Sequence, residues 1–161
     1  MWVVTVDKDG KELGDGRCVD IPKPDRFARN GLAQIESYVS RLRSSAARFS
    51  AIMIAAPDQR IAVNLLQRGG VPVLTLLFEW RSEGEREGAA RQFFVERGLS
   101  RAHDYLGGNG GVPDAIRLLG YYLPPDVQFI TTVTKDVFHQ IYHLREQDAL
   151  EFTYQENNDP V

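Results

Sequence analysis

The chain is poor in the residue types that most often carry chemistry: among its 161 residues are one cysteine, two methionines, two tryptophans and three histidines. The lone Cys18 can make neither an internal disulfide nor a zinc site. It reads as a small apolar strand residue, because a reactive thiol needs an electropositive setting. No apolar run is long enough to cross a bilayer. The apolar opening Met1–Val6 lacks the basic start, the long apolar stretch and the small-residue cleavage site of a secretory signal. A cytoplasmic location is therefore expected. Positive charge is not in excess: 19 Lys and Arg stand against 22 Asp and Glu. The formal net charge of −3 argues against broad attraction to phosphate backbones or anionic lipid, so neither nucleic acid nor membrane is an expected partner. The charge is uneven: residues 1–100 carry 15 Lys and Arg against 13 Asp and Glu, and residues 101–161 carry 4 against 9. An acidic C-terminal part is commonly a solvated surface, and it could also meet a basic partner.

Hydrophobic residues make up 43% of the chain and charged residues 25%, the balance of a globular domain that needs no disulfide or metal to hold a core. The expected architecture is a single soluble α+β domain over residues 1–161, an antiparallel β-meander with helices packed on it. Its parts are an N-terminal strand or hairpin over 1–24, a core of helix, meander and helix over 25–99, and a Gly-rich loop with helices and a final strand over 100–161.

The meander is the strongest element. Three apolar runs, Ala51–Ala56, Arg60–Leu66 and Val71–Trp80, are separated by Pro57-Asp58-Gln59 and Arg68-Gly69-Gly70. Turns this short force neighbouring strands to pair antiparallel, since a parallel pair needs a crossover of a dozen or more residues. Strands are also expected near Trp2–Val6 and Arg17–Ile21. Asp25 is placed to N-cap a helix running to about Arg48, with Phe27, Leu32, Ile35, Tyr38, Val39 and Leu42 at helical spacing and Gly31 as a local weakness. Ser82 and Glu85 fit a capping box for a second helix that Gly98 ends. Leu106–Gly111 reads as a flexible loop on composition while the rest of 100–114 gives no element, Pro113–Leu119 reads as a short helix, and Asp126 to His143 as a long helix. A turn at Gln147-Asp148 then leads to a final strand over Ala149–Gln155 that pairs with the sheet edge, before a frayed polar tail.

Several constellations have residue types that can carry chemistry. His139 and His143 stand four apart on the long helix with Glu146 near its end, so both imidazoles could reach one metal. However, Gln140 sits where a zinc protease needs its general-base glutamate, and histidines near a helix C-terminus favour its dipole. The glycine run at 107–111 precedes a helix, but no Lys-Ser or Lys-Thr follows it, and Asp114 would put negative charge where an anion should sit. His103-Asp104 and the serines contain no nucleophile-elbow turn. Glu79, Glu83, Glu85 and Glu87 are mixed with Arg81 and Arg86, the pattern of a solvated face. No catalytic residue, metal site or cofactor is therefore assigned, and enzyme activity is left open with a non-catalytic role favoured.

The longest strand is apolar on both sides. Leu74, Leu76, Phe78 and Trp80 point one way, and Val73, Thr75, Leu77 and Glu79 the other. Helices of this chain can cover both faces, or a second copy or client segment can cover one. The partner-binding residues expected on this argument are Leu74, Leu76, Phe78 and Trp80.

The order of a leading helix, the meander Ala51–Trp80, a second helix, a variable segment, and then Leu123-Pro124-Pro125 through Val137–Tyr142 with Ala149–Phe152 at the end resembles the type III secretion chaperone-like families and their bacterial relatives. The resemblance covers about two thirds of the chain, rests on element order and hydrophobic pattern, and has the N-terminal hairpin as an addition. It implies a small acidic cytoplasmic protein, often dimeric, that holds an extended segment of a partner and has no catalytic residues. Read as strand, strand, helix, three strands and two helices, the order also resembles longin-like or profilin-like interaction domains, which implies partner binding without chemistry. Two other expectations differ in kind: an immunity-type inhibitor using the acidic C-terminal part, and a small-molecule enzyme or sensor with a pocket near the C-terminal helix drawing on His103, Asp136 and His139. The favoured expectation is a non-catalytic protein-binding or chaperone-like module that holds a partner segment or forms a homodimer through an apolar strand face.

Overall fold

The computed structural model describes residues 2–3, 17–18, 23–59, 61–79, 82–107 and 116–157. At its centre the expected meander is formed by β4 (Phe49–Ala56), β5 (Ile61–Arg68) and β6 (Val71–Glu79), each antiparallel to the next. Gly69 and Gly70 close the second hairpin with φ of 56° and 81°. A two-residue turn that matches strand twist needs positive φ at both positions, which glycine adopts at little steric cost. Four more strands complete an open antiparallel sheet of seven: β3 (Asp25–Phe27), β7 (Arg101–Gly107), β8 (Ile116–Tyr122) and β9 (Leu150–Asn157), in the order β3-β9-β4-β5-β6-β8-β7. The fold class is α+β. Separately, β1 (Trp2–Val3) and β2 (Arg17–Cys18) pair antiparallel, and the rest of the expected N-terminal hairpin lies outside the described residues.

All three helices lie against one face of this sheet. Helix α1 (Ile35–Ser44) reaches β5 where Gln67 Nε2 donates to the Leu42 carbonyl at 3.1 Å, and β9 where Tyr38 stacks on Phe152 at 4.4 Å. Helix α2 (Gly84–Glu96) stacks Phe94 on Tyr121 of β8 at 3.9 Å. Helix α3 (Val127–Asp136) continues as a single π-helical turn, Val137–Ile141, after which Tyr142 stacks on Phe78 at 6.2 Å. The strands feed the core with alternate residues, including Ile52 and Ile54, Val63 and Leu65, and Leu119 and Tyr121, all 3% exposed or less. The period of two puts those side chains on the helix side together and their neighbours on the other.

Four expectations differ from the structure. First, Asp25 does not cap a helix. Asp25–Phe27 pairs with Leu150–Phe152, the chain turns at Asn30 (φ 54°), and a 3-10 turn over Gly31–Gln34 leads into α1. Gly31 is required by close approach: a Cβ there would stand 2.7 Å from Leu150 Cβ. The Asp25 carboxylate accepts from the Tyr38 hydroxyl, and burial together with that contact pushes the Tyr38 phenol up to about 12. Second, the capping box of α2 is not made. Ser82 Oγ donates to the Glu79 carboxylate at 2.6 Å, while Glu83 accepts from the Glu79 backbone N–H at 2.7 Å. Third, the stretch from Arg101, for which no element was expected, is a strand that runs through Gly107 into the expected loop at 106–111, and the helix expected over Pro113–Leu119 is strand β8 from Ile116. The sequence between them lies outside the described residues. Gly120, Tyr121 and Tyr122 are poor helix formers and the tyrosines suit a pleated surface, so pairing with β6 decides the conformation. Fourth, the last strand is internal to the sheet, since β9 sits between β3 and β4. The start of α3 and the end of α2 agree with expectation: Asp126 accepts from the Phe129 N–H at 2.7 Å, and Gly98 (φ 64°) follows α2. No described helix is long and apolar enough to cross a membrane.

Edge strand β7 is tied to the helix layer by charge. Asp104 accepts from Arg91 of α2 at 2.8 Å, from Arg101 at 2.8 Å and from Arg117 of β8 at 3.1 Å. Arg91 foremost, against an opposing cost of burial, holds the Asp104 carboxyl down at about 2. A carboxyl whose folded value is depressed adds stability above its unfolded value and loses it as pH falls toward the folded one. Asp104→Asn should therefore lower unfolding free energy at neutral pH by about 2 kcal/mol. The deficit should vanish between roughly pH 5 and pH 2. Urea melts of both proteins across that range check this, and a deficit independent of pH would contradict it.

Candidate functional site

The residues that the strands turn away from the helices form the second face of the sheet, open in that none of the three helices lies on it. Its make-up follows from register. Tyr122, Val73, Leu66, Ala51 and Gln155 stand in one row across β8, β6, β5, β4 and β9. The next row, starting from β7, reads His103, Gly120, Thr75, Asn64, Met53 and Thr153. In the third, Tyr105, Leu118 and Leu77 are continued by Ala62, Ala55 and Glu151. A mostly polar row thus runs between two mostly apolar ones. Glu151 is the one Asp, Glu, Lys or Arg in these rows, and it pairs with Arg26 at 2.8 Å. Of the seven large hydrophobic residues exposed among the described ones, Met53, Val71, Tyr105, Ile116 and Tyr122 belong to this face, each at least 42% exposed.

His103 is the most constrained group on the surface. Its ring lies over Gly120, where a Cβ would come within 2.2 Å of Cε1, and Nε2 is 3.2 Å from Thr75 Oγ1. Tyr105 flanks it with ring centroids 5.5 Å apart. The glycine is what lets the imidazole lie flat on the sheet and reach across β8 to β6. His103 and Asp104, adjacent in sequence, face opposite sides of the sheet, so the pair builds no common site.

At one end of the open face is a cleft of about 830 Å³, where Ala62, Leu77 and Ile116 meet the link between β6 and α2. Of its charged groups, Arg86 donates to Glu83 at 2.9 Å, Glu79 and Glu83 take the contacts described above, and Glu85 also lines it. Beside it, Tyr142 has a buried hydroxyl without a hydrogen-bond partner. Burial, and secondarily Glu83, raise that phenol far above its usual range.

The residues singled out from sequence fall elsewhere. Leu74, Leu76 and Phe78 are 0%, 0% and 1% exposed beneath the helices, and Trp80 lies outside the described residues. The two faces of β6 were identified from the alternation, and the helices cover the face that had been offered to a partner. His139 Nδ1 lies 2.8 Å from the Leu144 carbonyl and Nε2 3.1 Å from Glu146, so both ring nitrogens are engaged in finishing α3. His143 adopts a left-handed conformation (φ 57°) just beyond. Among the described residues no cluster of three or more His, Cys, Asp or Glu is arranged to hold a metal. Asp136 pairs with Arg97 at 3.1 Å, so His103, Asp136 and His139 do not converge and none lines the cleft. The polar row could have been found only by pairing the strands in register, which a lone sequence does not supply.

No family model, curated protein or solved structure matches this chain.

Gly120→Ala should push the His103 ring off the sheet, break its contact with Thr75 and cost about 1–3 kcal/mol, as overpacking does. Thermal unfolding with the His103 imidazole followed by NMR checks both effects, and an unmoved His103 resonance would contradict the geometry.

Proposed function

We propose that this protein is a non-catalytic protein-binding module that works through the open face of its sheet. The observation that carries the reading is the concentration of exposed large hydrophobic residues on that face, together with the single fixed charge, Glu151, in its three central rows. Scattered exposed apolar residues are ordinary, whereas a contiguous apolar surface depleted of charge is the mark of an interface core. The partner face expected from sequence is thereby exchanged for its opposite: Val73 and Leu77 with their neighbours, in place of Leu74, Leu76 and Phe78. A chaperone-like form of the role is what the resemblance to the type III secretion chaperone-like families implies, with the occupant an extended client segment or a second copy. A small-molecule enzyme is less well supported, because most polar groups around the cleft are drawn into contacts within its wall: Arg86 with Glu83, Ser82 with Glu79, and the Glu79 backbone with Glu83.

Photo-crosslinking in the native host cell tests the reading. A benzophenone amino acid at Tyr122 should give discrete protein adducts. The same probe at Val95, which is 73% exposed on α2, should give none. Equal yields from the two positions, or none from either, would count against an interface on the sheet.

A further inference from the structure

We infer that the occupant of the open face is a second copy of this chain, packed sheet against sheet about a two-fold axis that passes through the row of His103, Thr75, Asn64 and Met53. The inference rests on the protein-binding reading above and names the partner.

Symmetry is the first argument. A two-fold interface uses the same patch on both copies, so the patch must be complementary to itself. A mostly polar row flanked on each side by a mostly apolar one meets that condition. An in-plane two-fold through the central row lays that row on itself when the axis runs along the row or at right angles to it, and lays each outer row on the other in the first case and on itself in the second. Apolar surface meets apolar surface in both.

Charge is the second. The sole Asp, Glu, Lys or Arg in the three rows, Glu151, is held by Arg26 at the margin. The flanking rows that the footprint also covers add Arg68, opposite Val71, and Glu79, opposite Ile116, one charge of each sign; a two-fold along the central row lays the row of one on the row of the other, and the face as a whole selects neither a strongly basic nor a strongly acidic segment. Area is the third. Strand β6 has nine residues, and six strands lie across the face, from β7 to β9. At about 3.3 Å per residue and about 4.8 Å between strands, the footprint is roughly 700 Å². Stable interfaces bury about 800 Å² of each partner. The small side chains of Ala51, Ala55, Ala62 and Gly120 keep the surface flat enough for a second sheet to approach at about 10 Å.

Sedimentation equilibrium of the full chain should give twice the 18.2 kDa monomer mass at micromolar concentration. Asn64→Asp is nearly isosteric, sits in the central row and places a carboxylate near its symmetry mate, so it should weaken the dimer at least about 100-fold, as an uncompensated buried charge does. Asn64→Lys should do the same, and an equimolar mixture of the two variants should restore the dimer. Met53→Glu should dissociate it as well, while Val95→Glu leaves it intact. Near-ultraviolet circular dichroism of each variant separates dissociation from unfolding.

A wild-type monomer at 100 µM, or a dimer that Asn64→Asp and Met53→Glu leave unchanged while folded, overturns the inference. So does a mixture that stays monomeric. If the chain is monomeric and the Tyr122 probe still captures a discrete protein of another mass, the second copy is excluded and the protein-binding reading survives. If it captures nothing, both fall.

Discussion

The burial of Leu74, Leu76 and Phe78 beneath the helices is the constraint on which the rest of the structure turns. Strand β6 pairs with β5 on one side and β8 on the other, so its register decides which residues of three strands face the helix layer together. A slip of one residue would exchange the two faces along the whole strand. Here the exchange would bring Val73, Thr75 and Leu77 inside and strand three large side chains in water. At about 1.5–3 kcal/mol for each large apolar side chain taken out of water, the observed register is strongly preferred. The Gly69-Gly70 turn fixes the same register from the other end by setting Arg68 opposite Val71.

That preference leaves a remainder. Helices drawn to one face by the larger residues cannot also cover the other, and the residues left there are smaller but still largely apolar. An edge or central strand that faces water on one side usually alternates apolar with charged residues. On this sheet the alternation is between large apolar and small or weakly polar residues, with fixed charge confined to Glu151 in the three central rows. The polar groups that do occur are gathered into one row and partly satisfied, as the contact of His103 with Thr75 illustrates. Desolvating a group already hydrogen-bonded within its own chain costs less than desolvating a free one. The row can therefore be covered without leaving a full set of unmet partners.

The meander was legible because its turns are short and its apolar runs are bounded by Pro57 and by the paired glycines. The start of α3 was legible because Asp126 precedes a run with helical spacing. The misreadings share a physical cause. Asp25–Phe27 and Ile116–Tyr122 are short segments whose conformation is set by a distant strand, β9 for one and β6 for the other. Local pattern cannot weigh a partner dozens of residues away. Gly31 and Gly120 look like weak points in sequence, yet each marks a place where a side chain must lie against bare backbone. The alternation in β6 revealed two apolar faces without revealing which one the helices take. That choice depends on the summed size of residues contributed by β4, β5, β8 and β9, and it emerges only when the strands are set side by side.

Strand β7 joins the two sides of the sheet. Asp104 points under the helices into three arginines, while His103, one residue earlier, lies on the open face across Gly120. Because adjacent residues of a strand share one backbone, the ion pairs that hold Asp104 also fix where the imidazole stands. The edge strand would otherwise be the most easily displaced part of the sheet, paired on one side only among the described residues. An interface whose polar row begins at that edge depends on a charge cluster that it never touches. Loosening the cluster should loosen the row, and the coupling runs through the pleat of one strand, with no rearrangement of the helices between them.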